Sequence, residues 1–175
     1  MEDLSLHILD IVENSIDAGA RRIQIEICED SKQDLLSIEI ADDGKGMDEG
    51  TLKKALDPFF TTKTIRKVGL GLSLFQEAAR QANGDLLIQS KVGQGTTLRA
   101  TFQHSHVDRK PLGDMGKTLM TLLIGHPTIG LRYLHRRDGR DYELDTEKFP
   151  SERDFSSMSA VERINLVKKT LQEMK

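Results

Sequence analysis

The chain has 175 residues, enough for one domain with a real core plus a small appendage. A net charge of -3 argues against tight nucleic-acid binding, and the single cysteine, Cys28, excludes an intrachain disulfide framework. There is no signal-peptide pattern and no apolar run long enough to span a bilayer, so a cytoplasmic setting without membrane contact is expected.

Leu4, Ile8, Ile11, Val12 and Ile16 recur at three- and four-residue steps, predicting a core-facing helix that closes on ENSIDAGA, residues 13–20. The other face carries His7, Asp10, Asn14 and Asp17, with Asp10 and Asn14 one turn apart. On this helix alone, such a stripe is either a solvated face or a metal ligand beside a proton acceptor.

Gly19 supplies a turn. Ile23, Ile25 and Ile27 then alternate with polar residues, and Leu36, Ile38 and Ile40 alternate again, predicting a hairpin. The second strand runs into Asp42-Asp43-Gly44-Lys45-Gly46-Met47. That pattern places a carboxylate at a strand end, followed by two positions without Cβ where backbone can approach a flat ligand. Residues 49–56 predict a short helix ended by Pro58.

Next come Pro58-Phe59-Phe60-Thr61-Thr62-Lys63, a basic run, and Gly69-Leu70-Gly71 opening a helix over 70–81. Amides at a glycine-rich helix start, with cations nearby, form a phosphate site. It is not a Walker A loop, because the Gly-Lys-Ser/Thr ending is absent, nor a dinucleotide fingerprint, because the third glycine is missing. Two strands follow, the second alternating Thr96, Leu98, Ala100 and Phe102 inward, and the first module closes at about residue 103.

Beyond it, His104, His106 and Asp108 belong to a polar connector, for which a solvated loop is the expected reading over a metal site. A helix over 112–125, a hairpin through Arg136-Arg137-Asp138-Gly139-Arg140, a polar linker over 149–159 and a final amphipathic helix over 159–174 complete the chain.

Asn14 on a helix, Asp42-x-Gly44-x-Gly46, the Pro58–Lys63 segment, Gly69-x-Gly71 and Gly95-Thr96 occur in one order over residues 4–103. Together they resemble the GHKL superfamily, the Bergerat-type ATPases that include histidine kinases, gyrase, mismatch-repair ATPases and anti-sigma-factor serine kinases. The resemblance implies an α+β, two-layer sandwich with helices on one face of a mixed sheet. The chain would then divide into an ATP-binding domain, 1–103, and a C-terminal αβ extension, 104–175.

By position, the resemblance implies that Asn14 coordinates Mg²⁺ and that Asp42 accepts a hydrogen bond from the adenine amino group. Gly44 and Gly46 would let the base lie against the loop, and Met47 would line its pocket. Phe59 and Phe60 would anchor a lid in which Lys63, Arg66 and Lys67 meet phosphate charge. Gly69, Leu70 and Gly71 would present amides to the phosphates, and Thr96 would support Asp42 directly or through water.

The sequence also departs from the pattern. Val68 stands where the glycine-rich box ordinarily begins, and Asp10 occupies the position of the general-base glutamate, one methylene shorter. Glu13 points about 100° away from Asn14 around the helix and is the poorer base. Asp17 replaces the lysine usual in histidine kinases, so ENSIDAGA looks like a mismatch-repair ATPase while PFFTTK and GLGLSL look like a histidine kinase.

The chain starts on the first helix without a phospho-accepting hairpin, and residues 104–175 leave no room for a transducer domain, so neither parent architecture is expected. ENSIDAGA, DPFFTTK and SHVDRKPLGD together also resemble small stand-alone ATP-binding proteins encoded beside iron hydrogenase subunits in anaerobic bacteria.

The expected function is therefore an ATP- and Mg²⁺-binding regulator, with a serine/threonine kinase of the anti-sigma type as its catalytic form and Asp10 as its base. The alternatives are a split histidine-kinase catalytic half and a non-catalytic nucleotide sensor. The expected partners are ATP and a protein partner or substrate, with a homodimer left open.

Overall fold

The computed structural model describes residues 3–57, 59, 66–148 and 155–173, with residues 66–70 described by their backbone alone. Among them is one six-stranded sheet, ordered β3-β4-β2-β1-β5-β6. The strands are β1 (Arg22–Asp30), β2 (Leu35–Asp42), β3 (Leu86–Lys91), β4 (Gly95–Gln103), β5 (Gly130–Arg137) and β6 (Arg140–Asp145). β1 and β5 run parallel and every other neighbouring pair is antiparallel, which makes the sheet mixed.

The helices are α1 (Leu4–Asp17), α2 (Glu49–Ala55), α3 (Arg66–Gln81), α4 (Met115–Gly125) and α5 (Ala160–Glu173). Alternation in the strands sends Ile23, Ile25, Ile27, Leu36, Ile38, Ile40, Leu98, Ala100, Phe102 and Leu131 into one core with Leu4, Ile8, Val12, Phe75, Leu119 and Leu123 of the helices. Burying each such large side chain contributes about 1.5–3 kcal/mol. The fold is the α+β, two-layer Bergerat arrangement expected from the motifs.

Local chemistry sets the element ends. The Asp3 carboxylate accepts from the Leu6 amide at 3.1 Å and caps α1, while Asp48 and Asp114 cap α2 and α4 in the same way. The two-residue turn Asp138-Gly139, with φ of +47° and +85°, joins β5 to β6.

Two expectations change in the structure. The polar stripe of α1 is not solvated throughout: His7 is 1% exposed, its ring stacked on Phe75 of α3 at 5.3 Å. The third helix begins at Arg66 rather than Leu70, so Gly69-Leu70-Gly71 lies inside it. By the i to i−4 pattern of a helix starting at Arg66, the Gly71 amide lies beyond the first turn, in the helical ladder.

The boundary expected after residue 103 falls at the end of β4, and residues on both sides of it contribute strands to the one sheet. The segment 104–175 also flanks the first helix. The Leu4 and Ser5 amides donate to the carbonyls of Pro111 and Leu112 at 2.9 and 2.8 Å, and α4 lies along α1 from there.

Candidate functional site

A cavity of 180 Å³ opens between the second half of α1, the end of β2, α2 and the start of α3. Ile11, Ile40, Met47, Leu72, Ile88 and Leu98 make most of its wall apolar, while Asn14, Ser15, Asp42, Lys45 and Thr96 add polar groups. A mostly apolar slot with a few convergent polar groups suits a flat heteroaromatic ring.

The Asp42 carboxylate is fixed at both oxygens. The Gly44 amide donates to Oδ1 at 2.9 Å and the Ser15 hydroxyl donates to Oδ2 at 2.8 Å. Each oxygen keeps lone-pair capacity for a further donor. Ser15 follows Asn14 in sequence but points to the cavity floor, one turn beyond Ile11, whose carbonyl it also meets at 3.2 Å.

The loop after Asp42 is pinned on two sides. The Lys45 amide donates to the Ala18 carbonyl at 3.1 Å and the Gly93 amide to the Lys45 carbonyl at 2.8 Å. Gly46 has φ +68°, and a side chain there would run into the Lys91 backbone. The Met47 amide donates to the Ser90 hydroxyl at 2.8 Å, and Ser90 lies 2.7 Å from the Thr96 hydroxyl. Thr96 sits opposite Asp42 in the β2–β4 register, with its hydroxyl directed to Ser90.

Asp10 and Asn14 meet over Gly71 of α3. A Cβ at Gly71 would collide with the Asp10 carboxylate and would stand 4.0 Å from the Asn14 amide nitrogen, so the missing side chain makes room for both polar groups. Burial, and then the Glu13 carboxylate, push the Asp10 carboxyl above its ordinary value. Glu13 itself turns to α4, where His126 Nε2 donates to its carboxylate at 2.9 Å.

An oxygen-bearing amide and a carboxylate beside a partly open cavity are donors of the type a hard divalent cation accepts. Among the described residues no group of three or more His, Cys, Asp and Glu side chains could hold a metal. A Mg²⁺ that takes one or two protein oxygens and completes its shell from phosphate and water fits this arrangement.

Asn14, Asp42, Gly46, Met47 and Thr96 line the cavity, Gly44 bonds to Asp42, and Asp10 and Gly71 lie beside Asn14 without lining it. Gly69 and Leu70 are placed by the backbone of α3 only, while Phe60 and Lys63 lie outside the described residues. Ser15 and Ser90 were not singled out from sequence. Ser15 occupies the edge between the apolar and polar faces of its helix, and Ser90 reads as one more polar residue on an alternating strand.

Away from the cavity, His104 and His135 donate through Nε2 to Oε2 and Oε1 of Glu29 at 3.2 and 2.7 Å, and Tyr133 donates to His135 Nδ1 at 3.1 Å. The His104 connector is therefore a hydrogen-bonded tether to β1. No helix among the described residues is long and apolar enough to cross a membrane.

A helix-borne amide and carboxylate, facing a strand-end aspartate across a cavity walled by a glycine loop, define a nucleotide-binding ATPase fold. Residues 2–106 match the family described as histidine kinase-, DNA gyrase B- and HSP90-like ATPases, and the chain belongs to that family.

It is 40% identical over 94 residues to the signal transduction histidine-protein kinase AtoS of Escherichia coli, covering 51% of this chain and 15% of that protein. It is 40% identical over 67 residues to the sensor kinase CckA of Brucella abortus, covering 38% of this chain and 7% of that protein. The chain thus spans only a small part of the length of the curated relatives it matches. It also shares its fold with the Aquifex aeolicus MutL ATPase domain complexed with ADP, at a TM-score of 0.52 and 16% identity, over 97% of this chain and 70% of that one.

Proposed function

We propose that this chain binds ATP with Mg²⁺ in the cavity and acts as a nucleotide-dependent regulator that transfers the γ-phosphoryl group to a protein hydroxyl. The convergence of Asp10 and Asn14 over Gly71, beside a cavity that also holds Asp42, carries this reading.

Asp42, oriented by Ser15 and Gly44, accepts a hydrogen bond from the adenine amino group; a guanine carbonyl at that place would meet its negative charge. Met47 and the apolar wall hold the base, and the Gly44–Gly46 backbone lets it lie close. Asn14 would hold the metal, which would supply charge neutralisation at the phosphates. Asp10, kept partly desolvated, takes the proton of a serine or threonine hydroxyl as that oxygen bonds to the γ-phosphorus and the bond to the departing ADP oxygen breaks. By the resemblance, Lys63, Arg66 and Lys67 would meet phosphate charge, and the amides at the start of α3 would add positive potential.

A second reading is favoured by the names of the relatives, which include a histidine-protein kinase and a sensor kinase. In it the acceptor is a histidine of a separate protein. A imidazole nitrogen brings its own lone pair, so Asp10 becomes dispensable for the transfer. In a third, the protein binds nucleotide without transfer and reports its state to a partner.

The deciding experiment is titration with ATP with and without Mg²⁺ on the wild type and Asp42→Asn, followed by labelling of a cell extract with γ-labelled ATP. Acid-stable phosphoserine or phosphothreonine, lost in Asp10→Asn, supports the hydroxyl reading. Acid-labile label points to histidine, and binding without label to a sensor. An ATP affinity indifferent to Asp42→Asn sinks the assignment of the cavity.

A further inference from the structure

The face of α1 that carries Asn14 is gripped from two sides. On one side lies α3, with His7 stacked on Phe75 at 5.3 Å and Asp10 and Asn14 over Gly71. On the other side lies α4, held at both ends of the contact. At the start of α1, the Thr118 hydroxyl donates to the Ser5 carbonyl at 3.3 Å, next to the Leu4 and Ser5 amides already bound by Pro111 and Leu112. At the last turn, His126 Nε2, just past the end of α4, reaches both carboxylate oxygens of Glu13 at 2.9 and 3.1 Å.

Glu13 and Asn14 are consecutive, so their side chains leave the helix about 100° apart, one towards α4 and the other towards α3. Anything that fixes the direction of Glu13 therefore fixes the roll of α1 about its own axis at Asn14. A roll of 15° at a side-chain radius of about 5–6 Å displaces the Asn14 head group by roughly 1.5 Å. Binding constellations must be held within about 0.5 Å and 10–20°. The Pro111 and Thr118 contacts lie more than two turns away; at the last turn the Ser15–Asp42 bond holds the sheet side of the helix, and the Glu13 contact is what holds its α4 side.

We infer that His126 is a positioning residue for metal-bound nucleotide: by holding Glu13 against α4, it sets the angle at which Asn14 faces the phosphate end of the cavity. The inference rests on the reading of Asn14 given above. It gives residues beyond the ATPase module a part in the nucleotide site, because His126 lies outside the family match over 2–106. It also keeps the Glu13 carboxylate off the Asp10–Asn14 stripe, where a free acidic side chain would compete with Asn14 for the cation.

The test is calorimetric titration of the full chain with ATP, in Mg²⁺ and in EDTA, for wild type, His126→Ala, His126→Gln, Glu13→Ala and the double alanine variant. The readout is the ratio of the two affinities, which a general loss of stability does not move. His126→Ala is expected to cut the Mg²⁺ advantage by about fivefold or more, with affinity in EDTA changed by less than about twofold. His126→Gln, whose amide nitrogen stands near the place of Nε2, is expected to restore the ratio. Glu13→Ala and the double variant are expected to match His126→Ala, because the two side chains act as one contact.

An unchanged Mg²⁺ advantage in both His126→Ala and Glu13→Ala overturns the inference. So does a parallel fall of both affinities with melting temperature, which would reduce His126 to a structural contact. If the wild type binds ATP without any Mg²⁺ advantage, the role of Asn14 fails and this inference with it. If the wild type does not bind ATP, the reading of the cavity fails first.

Discussion

The Ser15 hydroxyl lies 2.8 Å from Asp42 Oδ2, joining the helix that carries Asn14 to the strand end at the floor of the cavity. This bond and the Gly44 amide leave the carboxylate a single orientation, with its remaining lone pairs aimed into the cavity. Ser15→Ala should weaken ATP binding by about three- to tenfold, the net worth of one ordinary hydrogen bond, because Ser15 acts on the nucleotide only by orienting Asp42, with little loss of melting temperature. Calorimetric titration alongside Asp42→Asn measures it, and an unchanged affinity would show that Asp42 needs no such support.

Gly71→Ala separates function from fold. Alanine is favoured over glycine within a helix by about 1 kcal/mol, so on helix propensity alone the variant should melt no lower than wild type. Its Cβ, however, would occupy the place of the Asp10 carboxylate and force it aside. Phosphoryl transfer and the Mg²⁺ dependence of binding should fall by about tenfold or more, since displacing a reacting group by about 1 Å has costs of that order or greater.

His7 is 1% exposed, and neither ring nitrogen has a hydrogen-bond partner among the described residues. Burial first, and then the Lys110 charge, with Asp3 opposing them, lowers its pKa to about 4. The unfolded chain therefore binds a proton between pH 6.5 and about 4 that the folded chain refuses, and stability falls as pH drops through that window. The loss from this one group is on the order of 3 kcal/mol. His7→Phe should remove that slope and raise stability at neutral pH, because the stack on Phe75 is kept while two buried polar atoms disappear. Urea denaturation of both proteins at pH 5 and pH 7.5 checks it.

Glu29→Gln probes the tether at the far end of the sheet. Burial pushes the Glu29 carboxyl up, but the bonds from His135 and His104 outweigh it and leave its pKa below the ordinary value. Stability from this group is fully present above about pH 4.5 and is lost as pH falls through the lower folded-state value. The glutamine variant should be less stable by about 1–3 kcal/mol at neutral pH and should lack that acid limb. Thermal melts between pH 3 and 7 decide the matter.

The strands and the first helix were legible because apolar periodicity is a local property: Ile23, Ile25 and Ile27 point one way whatever lies above them. The placing of Asp42 at a strand end with a tight loop after it was legible because the Leu36–Ile40 alternation stops there and two glycines follow. The burial of His7 was not, since it depends on where Phe75 arrives from 68 positions away in the chain. The early start of α3 was hidden for a different reason. Arg66 to Val68 carry no capping signal, and the glycines at 69 and 71 read as a helix beginning although the helix passes through them. Nor could spacing alone give Ser15 to Asp42 or His126 to Glu13, because each contact joins segments brought together only by the finished sheet.

The parallel pairing of β1 with β5 has a practical consequence for anyone dissecting this molecule. Strand β1 is interior only because residues 130–137 return to lie beside it. A fragment ending at residue 103 would leave one whole side of β1 with unpaired amides and carbonyls, next to the alternating isoleucines that line the core. Such a ribbon invites pairing with another copy of itself. Truncation designed to isolate the ATPase module would therefore make a self-associating species, and kinetic or binding measurements on it would describe the aggregate.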